Sequence, residues 1–425
     1  MKVFKFGGAS VKDADAVRNV LRILHMYSGM PLAVVVSAMG KTTNALEAIT
    51  AAYARGGEGL SANVDAMETY HRGIMDGLEL SAEGRRRAEV LMLELRQRLS
   101  VPPSDNFDFD YDQIVSYGEL ISTAIVTAFL ESQGVVNRWC DARGLIRTDH
   151  CYREGRVEWE RTTQLLAKAW EEVCQAAGTQ APILLTQGFV GHTSERTTTT
   201  LGREGSDFTA AILAYCLQAE SVTIWKDVPG VLNADPKYFK DAVLLKRISY
   251  REAIELAYFG ATVIHPKTIK PLQNKGIPLY VKSFTQPEEP GTEIVASTFS
   301  DSLVPSYIFK VEQVLISFSP RDFSFIAEEH LGELFSIFAR QRVRIHLMQN
   351  SALNFSICID YHPARLDALL AATRDRYEVL YNAPCELVTI RHYDQETISR
   401  LLIGKKVLVE QRSRSTARMV LVPGG

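Results

Sequence analysis

The sequence has 425 residues, with 47 lysines and arginines against 50 aspartates and glutamates, a net charge of −3. That length predicts two or three domains with sizeable cores, and charges of both signs scattered along the chain exclude a dedicated nucleic-acid or membrane surface. The six cysteines (Cys140, Cys151, Cys174, Cys216, Cys358 and Cys385) show neither CxxC nor metal-ligand spacing, so reduced thiols are expected and no protein-borne metal site.

Residues 3–6 (VFKF) read as a short strand with no secretory signal ahead of it, and no apolar run reaches the ~18 residues of a membrane span. A cytoplasmic protein is therefore expected. Ser10 and Asp13 make an S-x-x-D capping pattern before helical spacing at Ala14, Val17, Leu21 and Leu24, which Gly29 and Pro31 stop. The continuous apolar run LAVVV (32–36) marks a strand covered on both faces, and a helix follows from about Asn44. Residues 45–100 are charged and helix-favouring, which predicts a helical insertion. VPPSDNFDFDYD (101–112) reads either as a solvated connector or as an active-site flap.

The alternation returns with a strand at 183–191, a helix at 206–217, a strand at 221–225, a helix at 248–260 and a final strand at 277–284. This is a layered α/β domain with a parallel-type sheet, and TQPEEPGT (285–292) closes its pattern. Beyond it, strand 310–319, helix 330–341, strands 343–349 and 354–360, helix 364–375 and strand 386–393 spell βαββαβ, a ferredoxin-like unit. Residues 394–425 add a helix and two strands, part of a second such unit.

Five stretches have chemistry to offer. In KFGGAS (5–10), glycines at a strand exit let backbone approach a ligand, Ser10 opens a helix, and Lys5 adds a positive charge; a plain structural turn is the reading these residues alone favour, since neither P-loop nor G-x-G-x-x-G is present. In VSAMGKTTN (36–44), Ser37, Thr43 and Asn44 are either ligand hydroxyls and amides or N-caps. TTLGREGSD (199–207) crowds Arg203, Glu204, Ser206 and Asp207 before an apolar helix; Arg203 suits a carboxylate held by paired hydrogen bonds, and Asp207 an ammonium group or a metal-bound water. SYGE places Glu119 at a helix start, where complementing the helix dipole is the structural alternative. WKDVPGVLNADPK puts Lys226, Asp227 and Lys237 in the loop after a strand, where open α/β sheets bind nucleotides.

KFGGAS, VVVSAMGKTTN, SYGE, TTLGREGSD, WKDVPGV and FGATVIHP, in this order, resemble the motifs of aspartokinases, members of the amino-acid kinase superfamily. The resemblance covers the whole chain. It implies an amino-acid kinase catalytic domain at 1–295, with its helical insertion at about 45–115, and a 300–425 regulatory region of α+β ferredoxin-like ACT type whose second unit is shortened. It implies phosphoryl transfer from ATP with Mg²⁺ to the β-carboxylate of L-aspartate, the entry to lysine, threonine and methionine synthesis. By resemblance, Lys5 stabilises the transferring phosphoryl group with help from the Gly7 and Gly8 backbone, and Asp207 is catalytic. Ser37, Thr43, Glu119, Arg203 and Ser206 surround aspartate, Arg203 taking its α-carboxylate and an acidic residue its α-amino group. Lys226, Asp227 and Lys237 lie where the family binds ATP, and Mg²⁺ rides on the phosphates. Paired ACT units imply a homodimer with an amino-acid effector.

Three stretches depart from the family pattern. Thr262 stands where a lysine is common, with Lys267 as a candidate substitute, and Glu204 stands in place of a glycine. His346 and Ser351-Ala352 stand where lysine-sensitive relatives carry acidic groups, which weakens lysine as the effector. With no dehydrogenase following in the sequence, a monofunctional form is expected. A kinase for another acid, such as glutamate or acetylglutamate, and a weakly active amino-acid sensor are the competing readings.

Overall fold

The computed structural model describes residues 1–261 and 264–424. Two compact units emerge: Met1–Val231, Leu244–Ile254 and Val263–Thr298 make the first, and Leu232–Val243, Glu255–Thr262 and Phe299–Gly425 the second. The sequence places all of 1–295 in one domain; in the structure two of its segments, 232–243 and 255–261, pack with the other unit.

The first unit is built on an eight-stranded sheet. Its strands are β1 (Lys2–Phe6), β2 (Leu32–Val36), β3 (Arg138–Cys140), β4 (Ile183–Gln187), β7 (Ser221–Lys226), β8 (Arg247–Ser249), β9 (Leu279–Ser283) and β10 (Thr292–Val295), while β5 (Val190–His192) and β6 (Thr198–Thr200) form a separate small hairpin. The order is β3-β4-β2-β1-β7-β9-β10-β8. All neighbours run parallel except β9 and β10. Thus 277–284 is not the last strand, as the sequence suggested: the proline- and glycine-bearing turn after it sends β10 back antiparallel. Likewise 183–191 divides into two strands, and the 248–260 element begins as strand β8 before turning helical.

Helices cover the sheet: α1 (Ala14–Met26), α2 (Thr42–Ala54), α3 (Leu60–Gly77), α4 (Ala82–Ser100), α5 (Phe107–Val115), α6 (Tyr117–Ser132), α7 (Trp159–Ala177), α8 (Gly205–Leu217), α9 (Tyr250–Phe259) and α10 (Pro266–Lys275). Asp13, not Ser10, caps α1, its carboxylate accepting from the Ala16 N–H at 2.8 Å; Ser10 falls in a short 3-10 turn. The 101–112 stretch divides: its first half, 101–106, is an exposed connector. Its second half starts α5, and the Asp110 carboxylate is buried against Arg98 and the Ser104 N–H. The stretch Phe107–Ser132 is long and apolar enough to cross a membrane, yet 94% of its apolar window is buried within the protein, which makes it a core element here.

Period-two alternation decides what β1 offers each face. Phe4 and Phe6 join Val17, Val20 and Ile121 in the main hydrophobic core. Lys5 between them points the other way, toward the first turn of α8.

The second unit carries a six-stranded antiparallel sheet, β12-β13-β11-β14-β16-β15, from β11 (Ser306–Pro320), β12 (Ile345–Asn350), β13 (Phe355–Asp360), β14 (Tyr377–Arg391), β15 (Lys405–Arg412) and β16 (Thr416–Pro423), with helices α11 (Glu328–Arg340), α12 (Pro363–Thr373) and α13 (Gln395–Leu401). Two ACT-like halves share the long strands. The end of β11, with α11, β12, β13, α12 and the start of β14, completes βαββαβ around Phe318, Leu334 and Leu369. The start of β11 pairs with the end of β14, Ser306 opposite Arg391, and β14 then pairs with β16. The second half has one helix, α13, and the first half is inserted within it.

Candidate active site

A cleft of about 830 Å³ opens at the C-terminal ends of β1, β2 and β7. The chain leaves β1 for β2 on one side and later adds β7 on the other, the switch point at which an open parallel sheet leaves a crevice for ligands. Lys5, Gly8, Ser37, Thr43, Glu119, Arg203, Ser206, Asp207 and Lys226 all line it. Gly8 lets two loops touch: a Cβ there would lie 2.8 Å from the Ala38 carbonyl oxygen, so the backbone after β1 can press against the loop after β2. Gly205 does the same at the mouth of α8, where a Cβ would meet the Phe189 ring at 2.6 Å.

Asp207 sits in the first turn of α8 and is buried. Its Oδ1 lies 2.6 Å from Lys5 Nζ and its Oδ2 3.5 Å from Lys226 Nζ. Burial pushes its pKa up, but the ammonium groups of Lys5 and then Lys226 outweigh burial and hold it below the usual carboxylate value. Glu119 shows the opposite balance. Its carboxyl is wholly buried and pushed up to about 8, only partly opposed by the Ala38 N–H at 3.3 Å and the Lys5 charge. Its Oε2 has no hydrogen-bond partner among the described residues. One cleft thus holds an ionised carboxylate clamped by two cations and a second carboxyl kept neutral at pH 7, and such divergence marks functional sites.

The remaining sequence candidates are not among these lining residues. Gly7 precedes the turn, and a Cβ on it would lie 3.4 Å from Lys5 Nζ. Asp227 is exposed just past β7. Lys237 belongs to the second unit, where its N–H bonds Asp235 Oδ1 at 2.9 Å. Lys267 donates to the Leu201 carbonyl at 2.8 Å and lies over the Phe208 ring; the structure does not bring it to the cleft. Thr262 lies outside the described residues.

One wall of the cleft is Glu47, Asp108, Tyr111, Tyr152, Arg153 and Glu154; sequence reasoning reached Asp108 and Tyr111 only through the flap reading of 101–112 and missed the other four. The Tyr111 hydroxyl donates to Glu47 at 2.7 Å, and the Arg153 guanidinium lies 4.3 Å from the Tyr111 ring centre and 3.2 Å from Asp108. Behind them, buried Asp112 accepts from the Arg153 N–H and the Thr200 N–H, each at 2.9 Å, and from the Thr200 hydroxyl at 2.6 Å. Burial pushes Asp112 up to about 6 against these donors. The clustering of aspartates and aromatics in FDFDYD was the signal for Asp108 and Tyr111, and nothing comparable marks the other four.

Comparison with known proteins agrees with this arrangement. The model of the amino acid kinase family matches residues 1–283. Lysine-sensitive aspartokinase 3 of Escherichia coli (strain K12) is 32% identical over 370 residues, spanning 84% of this chain and 78% of that protein. This chain belongs to the amino acid kinase family, in its aspartokinase branch. Among solved aspartokinases, E. coli aspartokinase III in complex with lysine and aspartate (T-state) superposes with a TM-score of 0.83 at 27% identity, covering 100% of this chain and 96% of that one. The same enzyme with aspartate and ADP (R-state) gives 0.78 at 27% identity, with the same coverages. The ACT-like halves of the second unit are consistent with those aspartokinase structures.

Proposed function

We propose that the cleft transfers the γ-phosphoryl group of ATP to the β-carboxylate of L-aspartate, giving 4-phospho-L-aspartate, the first step toward lysine, threonine and methionine. The observation that carries this reading is buried Asp207 held between Lys5 and Lys226 at the ends of β1 and β7. A carboxylate acceptor is ionised at pH 7 and needs no general base, so the site's work is to align an in-line transfer and neutralise charge. A β-carboxylate oxygen forms the new bond to the γ-phosphorus as the bond to the bridging oxygen breaks, and ADP leaves with that electron pair.

Lys5, oriented by Asp207, stabilises the charge spread over the transferring oxygens, and the N-terminal end of α8 and the Gly7-Gly8 backbone add to it. Arg203 takes the α-carboxylate of aspartate, with Ser37, Thr43 and Ser206 around it. Glu119, neutral at pH 7, can donate a hydrogen bond to a substrate oxygen. Lys226 and Asp227 serve the nucleotide, and Lys267, held at Leu201, is left out. Among the described residues no three His, Cys, Asp or Glu side chains converge on a point. A magnesium ion carried on the nucleotide phosphates would supply charge neutralisation there.

For the second unit we propose ACT-type pairing in a homodimer, supported by the exposed Phe323, Phe325 and Leu380. An amino-acid effector fits a 270 Å³ recess that offers Arg321 and Glu378 to its two charges. A cytoplasmic location completes the reading. The test is hydroxylamine trapping of the acyl phosphate with MgATP, comparing L-aspartate, glutamate and acetylglutamate. Aspartate-dependent hydroxamate supports the reading, signal only with another acid replaces the substrate, and no signal with any acid overturns it.

A further inference from the structure

No residue of α3 lines the cleft, yet two adjacent side chains of this helix hold the two loops that do. The turn after β1 runs from Gly8 to Val11 and ends at Lys12, whose carbonyl accepts from the Tyr70 hydroxyl. The same hydroxyl fills the space beside Gly40 in the loop after β2: a Cβ on Gly40, whose φ is +56°, would lie 2.5 Å from it. The Gly40 N–H in turn donates to the Gly8 carbonyl at 3.0 Å, so the two loops that Tyr70 touches are also bonded to each other.

His71, the next residue of α3, is fully buried and reaches the second loop from behind the cleft lining. Its Nδ1 lies 2.7 Å from the Met67 carbonyl, which can only accept, so Nδ1 carries the ring proton. Burial lowers the pKa of the ring, which keeps it neutral at pH 7 with Nε2 as an acceptor. Nε2 faces the Thr42 hydroxyl at 3.3 Å, and that hydroxyl also donates to the Met39 carbonyl at 2.6 Å. Thr42 opens α2, which has no side-chain cap. It also packs beside Glu119, since a Cβ on Gly118 would lie 3.4 Å from Thr42 Cγ2.

What this brace controls follows from what the loops carry. Lys5 and Gly8 serve the transferring phosphoryl group, and Ser37 and Thr43 serve the acceptor. The Gly8–Gly40 bond therefore links the donor side to the acceptor side, and an in-line transfer depends on the spacing of the two. We propose that Tyr70 and His71 are positioning residues that hold these loops at the spacing phosphoryl transfer needs, Tyr70 through the Lys12 carbonyl and His71 through Thr42. This rests on the aspartokinase reading above. A fault in alignment lowers turnover while each substrate still binds its own loop, whereas a merely structural role lowers the melting temperature alone.

The test measures kcat, KM for L-aspartate, KM for ATP and melting temperature in the full chain, with every variant assayed well below its melting temperature. Tyr70→Phe and His71→Asn are expected to lower kcat about 10-fold, with both KM values within about three-fold of the parent. His71→Gln, whose longer side chain places an amide oxygen near the Nε2 position, is expected to keep kcat within about three-fold while losing stability as His71→Asn does. Thr42→Val is expected to lower kcat about 10-fold, and adding His71→Asn to it to lower kcat less than about two-fold further, because both break one linkage. An unchanged kcat in Tyr70→Phe or His71→Asn, a loss confined to KM, equal losses in His71→Asn and His71→Gln, or additive losses in the double variant overturns the proposal. Absence of aspartate-dependent turnover in the parent chain, by contrast, removes the aspartokinase reading itself and the inference with it.

Discussion

Lys5 on β1 and His346 on β12 are both buried, titratable side chains on a strand, each facing an aspartate, and they behave differently. Lys5 is on a central strand between Val35 and Ile224, 2.6 Å from an aspartate whose side chain is 3% exposed. His346 is on an edge strand, 2.9 Å from Asp360, whose side chain is 60% exposed and which also accepts from Gln313 at 3.0 Å. Burial, only partly opposed by Asp360, lowers the pKa of His346. The first pair is shielded from water and ready to exchange a partner for an arriving anion. The second is open to solvent on its Asp360 side, which screens the pair and limits its worth.

Breaking the first pair should have the largest effect. Lys5→Met is expected to lower turnover about 10³-fold or more, as removal of a charge-stabilising group does, and to cost about 3 kcal/mol of stability by leaving Asp207 with Lys226 alone. Hydroxamate formation and chemical denaturation read the two effects. A variant that retains turnover would mean that Lys5 is only structural.

Glu119 sharpens the contrast through pH. Its folded pKa of about 8 lies above the ordinary 4.5, so the fold favours the protonated form. That contribution is complete below about pH 4.5 and is lost as pH rises toward 8. Glu119→Gln is expected to remove a downward slope of about a few kcal/mol over that window, measured as unfolding free energy at several pH values; an unaltered slope would place the titration elsewhere.

Asp112→Asn should cost about 2 kcal/mol, since an amide cannot accept from all three donors, and should raise KM through displaced Arg153 and Thr200. A stability loss with unchanged kinetics would show that this wall does not touch substrate. Smallest is His346→Gln, expected within about 0.5 kcal/mol in the same denaturation experiment; a larger loss would show the edge pair to be more than a surface fastening.

Parts of the site formed by short runs were legible in the sequence. KFGGAS and TTLGREGSD each carry their chemistry within ten residues, and the strand and helix that present them follow from the residues alongside. The Asp112 wall was not legible, because its contacts join residues far apart: Asp112 to Thr200 and Gln113 to Thr198, 88 and 85 positions away. Reading 101–112 as a loop followed from its prolines and aspartates; tertiary packing of Tyr111 and Asp112 made half of it a helix. The same limit hid β10, whose place depends on pairing with β8 and β9. The alternating strands of the second unit were visible because each has one face in a core. The sharing of β11 and β14 between its halves was not, since register leaves no mark in composition.

That sharing also sets an order of assembly. The Ser306–Lys310 stretch finds its partner only at Leu387–Arg391, after α11, β12, β13 and α12 have all been made. During synthesis, the outer half can therefore pair only after the inner half has emerged. Once formed, the inner half acts as a clasp, bringing two distant stretches of chain within pairing distance and lowering the entropic cost of closing them.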